Sequence, residues 1–151
     1  MGTPPSAEGR ERAAIAAMKQ HGLRVTSPRL LVLRALYASP QPLNAQQVHN
    51  SVRQAGGHID VVTVYRILAA FQEIGLVHFI GVAGGYAACS LDECHESDSE
   101  HAICESCGRV LELQIPTAVR QEVTVPLDKL GFEARSVRVE VLGQCDRCAA
   151  S

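Results

Sequence analysis

The sequence predicts an α+β protein, in which an N-terminal winged helix-turn-helix precedes a small α/β domain. Helical segments fill most of residues 7–75, and an alternating stretch, LVHFIGVAGGYAACS, follows them. The Gly-Gly pair within that stretch predicts the turn of a β-hairpin. Further along, two Cys-x-x-Cys pairs flank a strand, an amphipathic segment and a second strand. This β-α-β order predicts a compact second domain that brings the two pairs together.

Capping residues and helix breakers divide the first half into helices. An Ala-rich stretch at residues 7–21 ends at Gly22. In TSPRLLVLRALYASP, Ser27 is predicted to be the N-cap, with proline at the first helical position. In LNAQQVHNSVRQAGG, Asn44 with Gln47 three residues later forms a capping box. These signals predict three helices before the segment that carries the most informative pattern.

That segment, IDVVTVYRILAAFQEIG, is predicted to be a helix that begins after Asp60 and stops at Gly75. One face is apolar and predicts core residues: Val64, Ile67, Leu68, Phe71 and Ile74. The opposite face carries Arg66 among mostly small side chains. Such a face can approach a DNA groove closely while the guanidinium reaches guanine O6 and N7. An ordinary amphipathic helix with one surface arginine fits the same pattern.

Composition limits the class of protein. The 151 residues are 46% hydrophobic, yet they contain no run that is apolar enough for a membrane span and no signal-peptide core at the start. We therefore expect a cytoplasmic protein with no membrane partner. In that compartment six cysteines are more typical of metal ligands or redox thiols than of disulfides.

Charge is unevenly distributed. Residues 1–82 hold eight Lys and Arg against four Asp and Glu, whereas residues 83–151 hold six against twelve. A basic first half favours a polyanionic partner, and an acidic second half favours a cation site. All six cysteines lie in the acidic half. The change near residue 83 predicts a domain boundary.

The two Cys-x-x-Cys pairs, Cys104 with Cys107 and Cys145 with Cys148, predict a zinc site. Four thiolates suit tetrahedral zinc, and each pair directs two sulfurs at one point. A site with four protein ligands has no open position, which indicates a structural role. A thioredoxin-like redox motif is the alternative, but that motif requires only one pair.

A second group of metal-binding residue types surrounds an acidic loop. Its members are His78, Cys89, Cys94, His95, His101 and Glu112, and carboxylates lie between them. Residues 90–100 are polar without an apolar period, which predicts a loop. A thiolate beside imidazoles favours zinc over iron or manganese, since those metals prefer oxygen and nitrogen ligands. A solvated acidic loop with incidental histidines is the alternative.

The motifs LRVTSPRLLVL, DVVTVYRILAAFQEIGLVH and CESCGRVLE with the later CDRC resemble the ferric uptake regulator superfamily, over nearly the whole chain. The chain is most similar to the zinc uptake regulators, because His78 follows Gly-Leu-Val and Cys89 follows the hairpin's aromatic strand. Iron-sensing relatives usually have a carboxylate at the latter position. The resemblance implies a winged helix joined to an α/β dimerisation domain, and metal-loaded homodimers that repress metal-uptake genes from palindromic operators.

The resemblance also implies site residues. It assigns the structural zinc to Cys104, Cys107, Cys145 and Cys148, and a regulatory zinc to His78, Cys89 and Glu112. The remaining regulatory histidine is open between two positions. His95 lies nearer the loop histidine of the zinc regulators and is slightly favoured, whereas His101 keeps the His-x-x-Cys spacing of other relatives. At least two zinc ions per chain are therefore expected.

For DNA, the resemblance implies that Arg66 contacts a base, beside Thr63 and Tyr65 of the same Thr-Val-Tyr-Arg motif. Gln46 takes the place of a base-contacting tyrosine of some relatives. Basic positions near the DNA backbone match Arg24 and Arg29. The implied domains are a winged helix at 1–82, a hinge and metal-binding loop at 83–100, and a dimerisation domain with structural zinc at 101–151.

These observations together predict a zinc-responsive dimeric repressor that binds palindromic operators of zinc-uptake genes. An iron, manganese or peroxide sensor of the same superfamily is an alternative, and a zinc-stapled carrier or interaction module without DNA binding is another. A zinc-dependent enzyme with Glu112 as general base is not expected. The sequence has no His-Glu-x-x-His signature, and such an enzyme would not need the basic helices.

Overall fold

The computed structural model describes residues 6–89 and 99–150, which we call the N-terminal half and the C-terminal half. The N-terminal half begins with helices at the predicted places: α1 Ala7–Gln20, α2 Ser27–Ala38, α3 Ala45–Gln54 and α4 Val61–Glu73. The hairpin that follows consists of β1 Val77–Ile80 and β2 Gly85–Ala88. The predicted α+β class, with helices and a hairpin first, is therefore confirmed.

Local capping explains where these helices begin and end. The Asn44 side chain accepts a hydrogen bond from the Gln47 N–H, and the Gln47 side chain accepts from the Asn44 N–H, so the capping box is confirmed. Asp60 caps α4 by accepting from the Thr63 N–H at 2.6 Å. The predicted cap at Ser27 is wrong by one residue. Ser27 is already helical, and the extended Thr26 takes the cap position.

The β1–β2 hairpin packs on the helices through one bridge to the loop before α3. Leu43 and Tyr86 exchange both backbone hydrogen bonds, at 2.9 and 2.7 Å. Gly85 is required for this approach, because a Cβ there would come 3.0 Å from the Leu43 carbonyl carbon. Strand β2 lies beyond residue 82, where the sequence predicted the first domain to end.

The C-terminal half is a small sheet with one crossover helix. Its elements are β3 Ser99–Cys104, β4 Val110–Glu112, α5 Thr117–Asp128, β5 Arg138–Gly143 and α6 Asp146–Ala149. Among the residues described, the strand order is β4-β3-β5, with β3 antiparallel to β4 and parallel to β5. The predicted β-α-β order is thus confirmed. The predicted loop at 90–100 is wrong for Ser99 and Glu100, which pair with β5, and residues 90–98 lie outside the described chain.

Most of the buried hydrophobic residues that the structure describes lie in the N-terminal half. All five predicted core residues of α4 are buried, together with Met18, Leu33 and Val48 from the preceding helices. In the C-terminal half, no side chain of α5 is buried. Its contacts with the rest of the chain therefore leave much apolar surface uncovered. In the part of the chain that the structure describes, no helix has the length and apolar character needed to cross a membrane.

Candidate metal centres and nucleic-acid interface

The topology of the C-terminal half gathers four cysteines. Cys104 ends β3 and Cys145 follows β5, and the parallel pairing of these strands sets Cys104 opposite Gly143. Cys107 lies in the turn after β3, and Cys148 lies in α6. One sulfur from each of the four lies within 4.8 Å of all the others, and the sulfurs of Cys107 and Cys145 are 3.8 Å apart. The fold thus places all four predicted ligands of the structural zinc around one point.

The polypeptide prepares this cluster for a cation. Backbone N–H groups, first of Cys145 and then of Cys107, lower the pKa of the Cys104 thiol to about 6. Hydrogen bonds with the other cysteines, Cys145 foremost, instead raise the pKa of Cys148 to about 12. Four crowded thiols do not all ionise unaided, because each thiolate repels the next. A divalent cation would hold all four as thiolates, and tetrahedral zinc suits such a donor set.

A second cluster joins the two halves of the molecule. His78 lies in β1, Cys89 follows β2, and Glu112 ends β4. One potential ligand atom from each lies within 4.8 Å of the others, and the Cys89 sulfur is 3.9 Å from Glu112 Oε2. Cys89 is held by its N–H, which donates to the Leu76 carbonyl at 2.9 Å. Three of the predicted regulatory ligands therefore meet, although two come from the hairpin and one from the other sheet.

The dimensions of this second cluster suit a metal ion. Three atoms no more than 4.8 Å apart fit around a centre about 2.8 Å from each. Inward shifts of less than about 1 Å would bring them to zinc–ligand distances of about 2.0–2.3 Å. The set has one sulfur, one imidazole and one carboxylate. Cys89 is 6% exposed, so an ion bound here would be largely shielded from solvent.

Of the two candidate histidines, only His101 lies among the described residues. His95 lies outside the described residues. His101 lies in the middle of β3, directly opposite Glu112, and its ring centre is 5.2 Å from that of His78. Burial, followed by the nearby His78, lowers the pKa of His101, which keeps the imidazole neutral and able to bind a metal. His101 therefore adjoins the His78, Cys89 and Glu112 cluster.

The residues predicted to contact DNA lie mostly on exposed surface. Tyr65 and Arg66 project from α4 with Tyr65 55% exposed, while Thr63 is half-buried in the first turn. Gln46 projects from α3 and hydrogen-bonds to Asn50 at 3.2 Å. The last two residues, Arg24 and Arg29, adjoin the start of α2, where the Arg29 guanidinium donates to the Arg24 carbonyl.

Sequence reasoning missed the direct contacts between the two halves. Gln41 Nε2 donates to the Cys107 carbonyl at 2.7 Å. The Glu140 carboxylate accepts from the N–H groups of Gly81 and Val82 at the hairpin turn, at 2.6 and 2.9 Å. A glutamine in a loop and a glutamate in an alternating strand carry no motif. Glu140 lies opposite His101 in the sheet. A prediction of that strand register would have been needed to identify Glu140 from the sequence.

Sequence reasoning also missed Arg53 as a basic residue beside the first turn of α4. A cavity of about 570 Å³ opens there between α3 and α4, and its lining includes Arg53, His49, His58 and Thr63. His49 is fixed at this surface because its Nε2 lies 3.0 Å from the Ile59 carbonyl oxygen. The excess of positive charge in residues 1–82 indicated that this half has a basic surface, but it did not identify Arg53 as part of it.

Comparisons with known proteins agree on one family. The sequence profile of the Ferric uptake regulator family matches residues 20–142. The ferric uptake regulation protein of Legionella pneumophila is 30% identical over 132 residues, which cover 87% of this chain and 95% of that protein. The peroxide operon regulator of Bacillus subtilis is 29% identical over 138 residues, which cover 91% of this chain and 92% of that protein.

Solved structures add information on the arrangement of the two halves. Holo XcZur superposes with a TM-score of 0.84 at 30% identity, covering 96% of this chain and all of that one. A zinc uptake regulator complexed with zinc and DNA gives 0.85 at 27% identity, with 97% of each chain covered. Apo XcZur superposes with a TM-score of only 0.53 at 29% identity, covering 95% of this chain and 97% of that one. The described chain as a whole thus superposes better on the holo form than on the apo form.

Proposed function

The chain belongs to the ferric uptake regulator family, and within that family of metal-responsive transcription regulators we propose that it is a zinc-responsive dimeric repressor. Its operators would be palindromic and would control zinc-uptake genes. The match to a family of regulators also agrees with the expectation that the chain is not an enzyme. Relatives that sense iron and peroxide are about equally similar in sequence, so the choice of metal has to rest on the site.

The observation that carries the zinc assignment is the Cys89 thiol within the His78 and Glu112 cluster. A buried thiolate with an imidazole and a carboxylate suits zinc, whereas iron(II) and manganese prefer sets of nitrogen and oxygen ligands. The likeness to holo XcZur and to the zinc uptake regulator bound to zinc and DNA supports the same assignment. His101 adjoins the cluster and is a fourth candidate ligand, as is His95 from the loop.

We propose two zinc ions per chain with different tasks. The four-cysteine site would hold a structural ion, since it lies within the C-terminal half and ties β3 to β5 and α6. The second site would hold the regulatory ion, because its residues come from both halves. Shared ligation at that site would fix the orientation of α4 relative to the C-terminal half. Operator half-sites have a fixed spacing, so a dimer binds both only when its reading helices have that orientation.

The DNA interface would centre on α4. Arg66 would make the base contact, and Tyr65 and Gln46 would extend it, because all three are exposed on α4 and α3. The remaining positions, Thr63, Arg24 and Arg29, would serve as backbone contacts near the starts of α4 and α2. A DNA-binding role agrees with the cytoplasmic location that the sequence composition predicts.

A homodimer is supported by uncovered apolar surface on the C-terminal half. On α5 and just after it, Val119, Val123 and Leu130 are 46%, 53% and 78% exposed. Val119 and Val123 are four residues apart and so share one face of α5, and Leu130 lies just beyond the end of the helix. We call these three residues the apolar stripe. Strand β5 is also an edge of its sheet among the residues described. We propose that a second copy covers this surface and that the N-terminal domain ends after Ala88 rather than at residue 82.

The experiment that tests the function measures DNA affinity against free zinc. An operator is first selected from a random duplex library with zinc-loaded protein. Wild type should bind it more tightly as zinc rises, and Cys89→Ser should lose this response while keeping one zinc per chain. Glu112→Gln should behave like Cys89→Ser, and Glu133→Gln, at an exposed position between α5 and β5, is the matched control.

Three outcomes would contradict the proposal. A Cys89→Ser protein with the wild-type midpoint and amplitude would show that this thiol is not a sensing ligand. A wild-type protein that responds to iron(II) or manganese(II) but not to zinc would indicate the other sensors of the family. A protein that selects no DNA with any of these metals would indicate a zinc-stapled carrier or interaction module instead.

A further inference from the structure

Glu140 connects the C-terminal sheet to the tip of the β1–β2 hairpin. Its two carboxylate oxygens accept separate hydrogen bonds, from Gly81 N–H at 2.6 Å and from Val82 N–H at 2.9 Å. Both donors belong to the turn between β1 and β2. The approach is close, because a Cβ on residue 81 would lie 3.2 Å from Glu140 Oε1. A glycine at this turn therefore leaves room for the carboxylate.

The same residue lies next to the candidate regulatory site. In the sheet, His101 of β3 stands opposite Glu112 of β4 on one side and opposite Glu140 of β5 on the other. Residues that stand directly opposite each other share a face of a sheet. Glu112, His101 and Glu140 therefore form a row across the face that meets the hairpin. One end of the row contacts Cys89, and the other end holds the hairpin turn.

We infer that Glu140 is a positioning residue that docks the hairpin on the C-terminal half without using the regulatory metal. The inference rests on the proposed function, because it concerns the domain arrangement that would bind DNA. Zinc and Glu140 would both favour the arrangement in which the hairpin contacts the C-terminal sheet, which we call closed. Zinc would do so through its ligands His78 and Cys89, whereas Glu140 would do so through the hairpin turn. The contact would thereby set how much of the zinc-free protein is already closed, and hence the zinc level at which the switch responds.

This role has a signature that other roles lack. If zinc and DNA both prefer the closed form, removing the Glu140 contact lowers the closed population of zinc-free protein. Operator affinity without regulatory zinc then falls, and the zinc midpoint rises by the same factor. Saturating zinc restores the closed form, so the affinity at saturation stays near that of wild type. Two charge-assisted bonds at a half-buried site should give about a tenfold shift, which corresponds to about 1.4 kcal/mol.

The test compares wild type with Glu140→Ala and Glu140→Gln, all loaded with structural zinc. The glutamine is nearly isosteric, but its amide NH2 faces one of the two N–H donors, so it should shift the midpoint in the same direction. Glu133→Ala, an exposed glutamate ahead of β5, is the matched control and should shift nothing. Hydrogen exchange of the Gly81 and Val82 amides should be faster in Glu140→Ala than in wild type.

Each result decides the matter. A midpoint shift with unchanged affinity at saturating zinc supports the inference. Equal loss of affinity at low and at saturating zinc overturns it, because Glu140 would then act on DNA contact or on folding. Unchanged exchange at Gly81 and Val82 also overturns it, since the contact would not form in solution. If wild type shows no zinc response, the proposed function fails, and the exchange data alone decide whether Glu140 docks the hairpin.

Discussion

Shortening Val123 to alanine should weaken the dimer, because this side chain lies in the middle of the exposed apolar stripe on α5. In the stripe, Val119 lies one turn earlier on α5, and Leu130 lies just beyond the end of the helix. Val123 is 53% exposed in the single chain, so about half of its surface is available for burial against a partner. In a twofold dimer the same residue contributes once from each protomer.

The size of the effect follows from that exposure. Valine to alanine removes two methyl groups, worth about 1.6 kcal/mol when they are fully buried. Scaling by the 53% that remains exposed gives about 0.85 kcal/mol per protomer. The dimer loses about 1.7 kcal/mol, so its dissociation constant should rise about 15- to 20-fold. Val123→Asp would bury a charge at the same place and should leave monomer at micromolar concentration.

Sedimentation velocity over a dilution series from about 0.1 to 100 μM measures this dissociation constant. Val62→Ala is the matched control, because Val62 is 54% exposed but lies on α4, away from the stripe. That variant should dimerise like wild type. A Val123→Asp protein with the wild-type dissociation constant and full zinc content would refute the assignment of this stripe to the dimer interface.

Three further predictions concern other parts of the molecule. Cys104→Ser should lose the structural zinc and the dimer together, because metal binding at such sites is part of the folding energy. Metal content and sedimentation of the same sample check this. A variant that stays dimeric with full zinc content would contradict it. Arg66→Ala should reduce the free energy of DNA binding by about 1–3 kcal/mol per half-site and relax the preference at one base pair. Arg24→Ala should instead weaken binding to all sequences alike and lower its salt dependence. Competition binding with single-base operator variants separates the two effects. In the C-terminal half, Arg120 of α5 forms an ion pair with the buried carboxylate of Glu100, which also accepts from the Ile115 N–H. Arg120→Met should destabilise the C-terminal half by about 3 kcal/mol, at the low end for a buried ion pair, because it leaves the Glu100 charge buried without its partner. Urea denaturation measures this, and the double variant with Glu100→Met should recover much of the loss.

Local signals allowed much of the fold to be predicted. Asn44 and Asp60 cap their helices as expected, because capping depends only on a side chain and the N–H groups two or three residues later. The error at Ser27 arose because Thr26 and Ser27 are both acceptable caps, and the choice between them depends on backbone conformation. The sequence FEARSVRVEVLG alternates from Phe132 onwards, yet strand β5 begins only at Arg138, because alternation does not show where a partner strand is available for pairing.

The two candidate metal sites differed in how far the sequence could define them. The four cysteines come in two close pairs, so spacing alone predicted their meeting, and the structure places their sulfurs together. The meeting of His78 with Glu112 depends on how two sheets face each other, which no local pattern encodes. Residue types suggested a wider group of possible ligands, and the family resemblance selected His78, Cys89 and Glu112 from it. The position of His101 opposite Glu112 depends on strand register, so the choice between His95 and His101 stayed open.

The hydrogen bond from Gln41 to the Cys107 carbonyl gives the four-cysteine site a second task. The turn that carries Cys107 is also the surface on which the loop before α3 rests, with the Gln41 side chain close to Gly108. Stripping the ion from this turn would therefore weaken one contact with the N-terminal half as well as loosen its own sheet. Under the proposed function, two thresholds of metal shortage would follow. A mild shortage would empty the interdomain site and relieve repression reversibly, whereas a severe one would unfold the C-terminal half, so that returning metal would restore DNA binding only after refolding.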